Sequence, residues 1–322
     1  MAVNLDKPDR WKADVRASVD MYNDWFLNFA PDAFRKARVG ATKQVEFALS
    51  HTDNLQKIHW EVLRDQPSLL SVLRMSCCPP IAVDRLAGLA DVPPTLIKSM
   101  EKAAALPRRG KAANALDSAL AQIVSVIGKL IDPDIFHWLA TKTNPPAADV
   151  HRAATIVADR LSGSLADPVI RNAQEARQLA VIGGWLKARK YTQTTVPGDF
   201  RKMRPGTYSF RLNVPVYKAG GQTVNIPVDA VIMPKNATLG QFPLLIEAKS
   251  AGDYTNTNKR RKEEAQKINQ LKATYNVKGA DNIRFILFLC GYFDTPYLGY
   301  EAAEGIDWVW EHRTDDLALF NL

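Results

Sequence analysis

From Trp11 to about Ala166 apolar residues recur three and four positions apart, as in Leu116, Leu120, Ile123, Val124, Ile127 and Leu130. That is the period of helices with one buried face. Proline pairs at Pro79-Pro80, Pro93-Pro94 and Pro145-Pro146 punctuate them. From about Tyr208 the pattern changes to short alternating or continuously apolar runs rich in Val, Ile and Phe, the signature of strands. The expected order is a helix over Pro168–Lys190, strands near Tyr208–Val216, Val224–Met233 and Pro243–Lys249, a helix near Glu263–Tyr275, and strands near Ile283–Cys290 and Ile306–Trp310. The turns at Ala219-Gly220-Gly221 and Pro234 to Gly240 are short enough for an antiparallel meander, and the later helix is long enough to cross to a parallel strand. The pattern predicts an α/β (α+β) protein with a mixed central sheet flanked by helices over 166–322, preceded by a mostly helical domain over 1–165. No internal repeat or low-complexity tract is present.

Two acids interrupt this apolar pattern. Asp229 breaks the run PVDAVI, and an acid in a half-buried strand is costly unless something compensates it, as a bound cation would. In FPLLIEAKS the two-residue period puts Leu245, Glu247 and Lys249 on one face and Leu244, Ile246 and Ala248 on the other. Two carboxylates on neighbouring strands, with the Ala248 carbonyl, form the hard oxygen set that magnesium prefers, with positions left for water and a phosphate. Lys249 is placed to orient or deprotonate an attacking water and to offset charge on the phosphate. On the preceding helix Glu175 falls on a stripe with Leu179, Ile182 and Leu186, so its carboxylate edges toward the core. It is a candidate fourth catalytic group and metal ligand, the plain alternative being a boundary residue paired with Arg171 or Arg177. The pattern implies one or two Mg2+ ions and phosphodiester hydrolysis.

Charge sharpens the choice of substrate. The chain carries a formal +8, and between Trp185 and Lys218 eight basic residues stand against Asp199 alone, a local excess of +7. A polyanion is the expected partner. Lys259-Arg260-Arg261-Lys262 and Arg108, Arg109 and Lys111 form further clusters. The three cysteines make neither a disulfide framework nor a zinc pattern, and no apolar stretch approaches the roughly 20 residues of a spanning helix. A cytoplasmic protein without membrane contact is expected.

Val83–Lys102 has the form of a helix-turn-helix, turning near Asp91-Val92-Pro93, with Thr95, Lys98, Ser99 and Lys102 on the side that would face a major groove; a helical hairpin within a helical domain fits equally. Asn256 and Asn258, in the polar loop after the acid-bearing strand, are placed to reach base edges. Lys259, Arg260, Arg261 and Lys262, with Arg201, Lys202 and Arg204, suit phosphate contacts that make binding salt-sensitive.

At Pro227-Val228-Asp229 and Glu247-Ala248-Lys249 the sequence resembles the PD-(D/E)XK nuclease superfamily, with Val228 intervening between the proline and the aspartate. The resemblance implies that Asp229 and Glu247 are metal ligands, Lys249 the catalytic lysine and Glu175 the accessory acid. Over most of the chain, including the opening WKADVRASVDMYNDWFLNFAPDAFRKAR, it is similar to the XamI family of type II restriction endonucleases. That implies double-strand cleavage at a short palindrome, with GTCGAC the site associated with the family's namesake. It also implies a homodimer and a cognate DNA methyltransferase that protects the host. The competing expectations are a repair or junction-resolving nuclease of the same fold and a noncatalytic DNA-binding regulator.

Overall fold

The structure is a computed structural model describing residues 2–195, 199–217, 222–238, 241–255, 257–276 and 283–322, with the side chains of 257–260 left aside. The chain divides into two compact units. One combines Met1–Phe29 with Arg171–Leu322, and the other is Ala30–Ile170. No helix among the described residues is long and apolar enough to cross a membrane.

The Ala30–Ile170 unit is helical. In the Leu116–Leu130 helix the residues at three and four spacing, Leu116, Leu120, Ile123 and Ile127, are buried. They join a core that also takes in Leu63, Leu73, Ile97, Met100, Trp138, Val157 and Leu161. The Val83–Ala90 and Pro94–Ala103 helices contribute Leu86, Ala87, Leu96 and Ile97. Asp91 ends the first of them in the left-handed region at φ +52. Arg74, buried in this unit, forms a two-pronged ion pair with Glu101.

The other unit is built on a mixed sheet. Among the described residues its strands lie in the order β1 (Thr192–Gln193), β2 (Thr207–Tyr217), β3 (Thr223–Ile232), β4 (Leu244–Ala251), β5 (Arg284–Gly291) and β6 (Asp307–Trp310). The β2–β3 and β3–β4 pairs are antiparallel, and β1–β2, β4–β5 and β5–β6 are parallel. Alternation along the strands sorts side chains to two faces. On one, Ile246, Phe288 and Val309 pack under Leu179, Ile182, Trp185 and Leu186 of the Ala147–Ala188 helix. On the other, Leu245, Leu287, Leu289 and Trp308 meet Ile268 and Leu271 of the Thr257–Tyr275 helix and Tyr297 and Leu298 of the Thr295–Ala303 helix.

Three features depart from the sequence expectation. Pro168 does not start a helix but lies inside Ala147–Ala188. A proline there forfeits one backbone hydrogen bond, and buried Leu161 and Ala166 before it and Leu179 and Ile182 after it hold the helix through that loss. The Thr257–Tyr275 helix begins six residues before the expected Glu263, so Asn258 and the Lys259–Lys262 cluster lie on a helix and not in a loop; Lys and Arg are good helix formers. Finally, the sheet unit is discontinuous in sequence, unlike the contiguous 166–322 stretch expected, because the amino-terminal residues are tied into it. Both oxygens of the buried Asp307 accept backbone N–H bonds, from Val3 at 2.5 Å, Asn4 at 2.9 Å and Leu5 at 3.1 Å. The Asn4 side chain donates to the Trp308 carbonyl at 2.8 Å. Ser18 Oγ accepts from the N–H of Gly291, a position at φ +96 where a Cβ would fall 2.1 Å from the Ala251 carbonyl oxygen, so only glycine fits.

Candidate active site

The site forms where the β3–β4 ladder stops. Its last paired residues are Ala230 and Ile246; two positions on, the Ala248 N–H donates to Asp229 Oδ2 at 2.8 Å. A side-chain carboxylate replaces the strand partner. In a strand the N–H and C=O of one residue point to the same edge, so the Ala248 carbonyl shares the Asp229 side.

Asp229 also marks a slip in β3. Ile226 and Val228 pack in the cluster on one face, with Val231 and Met233, whereas Ala230 and Ile232 pack in the cluster on the other. Opposite Asp229 on β2, Arg211 takes the left-handed region at φ +53 and is passed over in the pairing between Phe210↔Ala230 and Leu212↔Val228. Left-handed backbone is costly for a residue with a long side chain, and such local breaks re-aim the side chains beside them. Here the re-aimed group is an acid.

Glu247 is buried, and each of its oxygens accepts from an ammonium: Oε1 from Lys249 Nζ at 2.9 Å and Oε2 from Lys267 Nζ at 2.6 Å. Lys267, on the Thr257–Tyr275 helix, also donates to the Pro227 carbonyl at 2.7 Å. Burial pushes the Asp229 carboxyl up to about 6, and nearby Glu247 acts in the same direction; the Ala248 N–H, Lys249 and Lys267 oppose the shift. For Lys249 burial alone would lower the pKa, but Glu247 and Glu264, including the Glu247 hydrogen bond, leave it above its ordinary value. Of the two roles expected for Lys249, this environment favours the ammonium over a base.

Behind Lys249 lies a buried acid group. Glu264 Oε1 is 4.0 Å from Lys249 Nζ, and Glu264 Oε2 accepts from Tyr297 Oη at 2.6 Å. Burial raises the Glu264 pKa. Fully buried Glu301 is pushed up to about 9 by burial and then by Glu264, so it stays protonated at neutral pH.

Asp229, Glu247, Ala248, Lys249 and Glu175 line one cavity of about 360 Å³, together with Gln174, Gln178 and Glu263. Glu175 reaches this cavity, and its Oε1 accepts from Arg211 Nε at 2.8 Å, while Arg177 pairs with Glu311 at 3.0 Å. Among the described residues no three His, Cys, Asp or Glu side chains gather closely enough to hold a metal. The oxygen set that remains is the carboxylate pair with the Ala248 carbonyl.

A family model described as XamI restriction endonuclease matches residues 53–310. The chain is also 53% identical over 317 residues to the type II restriction enzyme SalI of Streptomyces albus G, covering 98% of each chain. The chain belongs to the XamI restriction endonuclease family. It is a type II restriction endonuclease, a site-specific endodeoxyribonuclease, and DNA is its substrate. No solved structure matches it.

The positively charged candidates of this restriction endonuclease are not equally available to DNA. Arg201 is clamped by Asp199, with two bonds at 2.8 Å, and lies over the Tyr275 ring. Arg261 stacks on Tyr300 at 3.7 Å. Lys98 lies 3.6 Å from Asp84 of the neighbouring helix. Lys102, Lys202, Arg204 and Lys262 are exposed. Asn256 lies outside the described residues, as do the side chains of Asn258, Lys259 and Arg260.

Sequence reasoning passed over two residues that hold the site. Gln178 is buried, and its Nε2 donates to the carbonyls of Lys249 and Phe288, each at 3.2 Å. It lies three residues beyond Glu175 on the same helical stripe, so the periodicity contained the signal. Lys267 carries no such signal, since it reaches Glu247 only through the packing of its helix against the sheet.

Proposed function

We propose that this XamI-family endonuclease is magnesium-dependent, with Asp229, Glu247 and the Ala248 carbonyl as the metal's ligands and Lys249 as the catalytic lysine. The observation that carries the reading is the meeting of Asp229, Glu247 and Lys249 in one cavity at the broken end of the β3–β4 ladder. The donor set fits the ion: two carboxylates and a carbonyl are hard oxygen ligands, and the raised Asp229 pKa marks a carboxylate short of positive charge. Such an ion supplies positive charge against the scissile phosphate and lowers the pKa of water beside it.

The protein's own groups do the rest. The Ala248 N–H fixes one Asp229 oxygen, and Gln178 pins the backbone at Lys249. The Lys249 ammonium orients the attacking water and offsets charge developing on the phosphate. Glu175 serves as accessory acid from the cavity wall, and a second ion there would require it to leave Arg211. Lys102, Lys202, Arg204 and Lys262, with Lys98, Arg201, Lys259, Arg260 and Arg261, are assigned to phosphate contacts, and Asn256 and Asn258 to base edges. Cutting both strands of a palindrome calls for two sites related by a two-fold axis, hence a homodimer. The proposed site is GTCGAC, protected in the host by a DNA methyltransferase.

The test is digestion of a sequenced unmethylated plasmid with Mg2+, beside EDTA and the Lys249→Ala and Asp229→Ala proteins. Discrete ends at GTCGAC, absent from all three controls, are expected. Cutting that survives both substitutions refutes the site assignment, and discrete ends at another sequence refute the recognition site alone.

A further inference from the structure

Both oxygens of Glu247 already carry an ammonium; each keeps a second lone pair, but a metal on this carboxylate sits against two positive charges. The two lysines are held differently. Lys249 lies between Glu247 and the buried Glu264, with a carboxylate on either side. Lys267 has Glu247 at 2.6 Å and otherwise the neutral Pro227 carbonyl at 2.7 Å. Its Nζ therefore occupies an oxygen-lined position, a carboxylate oxygen on β4 and a carbonyl two residues before Asp229, of the kind a hard cation also takes. With Glu247 taken by a metal, Lys249 keeps Glu264 as an acidic neighbour, whereas Lys267 keeps only the neutral Pro227 carbonyl, so Lys267 is the ammonium with least to hold it.

We propose that Lys267 is a resident counter-cation of Glu247, which the metal displaces on binding, so that Lys267 sets the affinity of the site for the metal. This rests on the metal reading of Asp229 and Glu247. Lys267 is a positioning residue: it holds the Glu247 carboxylate in its buried place before the ion arrives, and the need to displace it raises the metal concentration at which the site fills. Apparent affinity is the intrinsic affinity multiplied by the fraction of molecules in which the competent state is open.

Mn2+ binding to the full-length protein without DNA, followed by the electron paramagnetic resonance signal of free Mn2+, tests this apart from cleavage. Lys267→Met, which keeps most of the aliphatic stem, is expected to bind Mn2+ about fivefold or more tightly than wild type, if the lysine-bound state dominates by that margin. Lys267→Gln, which keeps a donor for the Pro227 carbonyl, shifts affinity in the same direction, and Lys267→Arg stays near wild type. Mn2+ also raises the melting temperature more in Lys267→Met than in wild type, from a lower metal-free starting point. Equal or weaker Mn2+ binding by both neutral variants overturns the counter-cation role. Wild-type protein that binds no Mn2+, or whose binding is unchanged in Asp229→Asn, overturns instead the metal reading beneath it.

Discussion

Replacing Asp229 by Asn removes a charge that the metal-free fold resists. The Asp229 pKa rises from an ordinary 3.8 to about 6, which corresponds to about 3 kcal/mol against the ionised form in the folded state at pH 8. Asn keeps an oxygen for the Ala248 N–H but adds an amide N–H₂ that needs an acceptor, at a cost of about 1 kcal/mol. Asp229→Asn is therefore expected to be more stable than wild type by about 2 kcal/mol at pH 8 in EDTA, although it should not cut DNA. The sign follows from proton binding. Between 3.8 and about 6 the folded wild type binds more protons at Asp229 than the unfolded chain does, so wild-type stability falls relative to the variant as pH rises through that window and the gap is constant above it. By pH 4 the gain is gone. Urea denaturation followed by tryptophan fluorescence reads this in the right unit, because Trp11, Trp25, Trp185, Trp308 and Trp310 all belong to the sheet unit. A difference between the two proteins that is the same at pH 4 and pH 8, or a less stable variant at pH 8, would refute the reasoning.

Three further outcomes are expected. Lys249→Met cuts DNA about 10²–10³-fold more slowly or worse but still binds the cognate duplex in Ca2+ by gel shift; undiminished cutting would remove Lys249 from the chemistry. Gln178→Leu leaves the Lys249 and Phe288 carbonyls without their side-chain donor and lowers stability by about 1–3 kcal/mol, measured in the same urea assay; an unchanged midpoint counts against the pinning role. Asp307→Asn offers one acceptor oxygen where the carboxylate serves Val3, Asn4 and Leu5 with two. It should lower stability by about 2 kcal/mol and expose residues 3–5 to limited proteolysis, and resistance equal to wild type would contradict it.

What was legible in the sequence followed from local periodicity. An acid set in an apolar strand and an acid two residues before a lysine are visible as breaks in a two-residue alternation, and they led to Asp229, Glu247 and Lys249. The Thr295–Ala303 helix is marked locally as well: Asp294 accepts from the Tyr297 N–H at 2.9 Å and Pro296 stands in the first turn, a helix-start signature. Other features are not local. Nothing around Arg211 announces a left-handed backbone, since arginine has no preference for it, and the slip at Asp229 arises from strand pairing. Lys267 and Glu264 reach the site because their helix crosses over the sheet, a property of topology and not of spacing. The Asp307 clamp joins residues 304 apart in sequence, a separation that no window of periodicity spans.

That clamp has a consequence for synthesis. Val3, Asn4 and Leu5 are made before Asp307 and have no carboxylate to close on until it follows, about 15 to 60 s later at ordinary elongation rates. The helical unit draws its core from residues 41–161, so its contacts are all available in the meantime. A nascent or truncated chain that stops short of Asp307 thus carries Asp229, Glu247 and Lys249 without the closed sheet unit around them. The finished fold around these three residues exists only once Asp307 has been made.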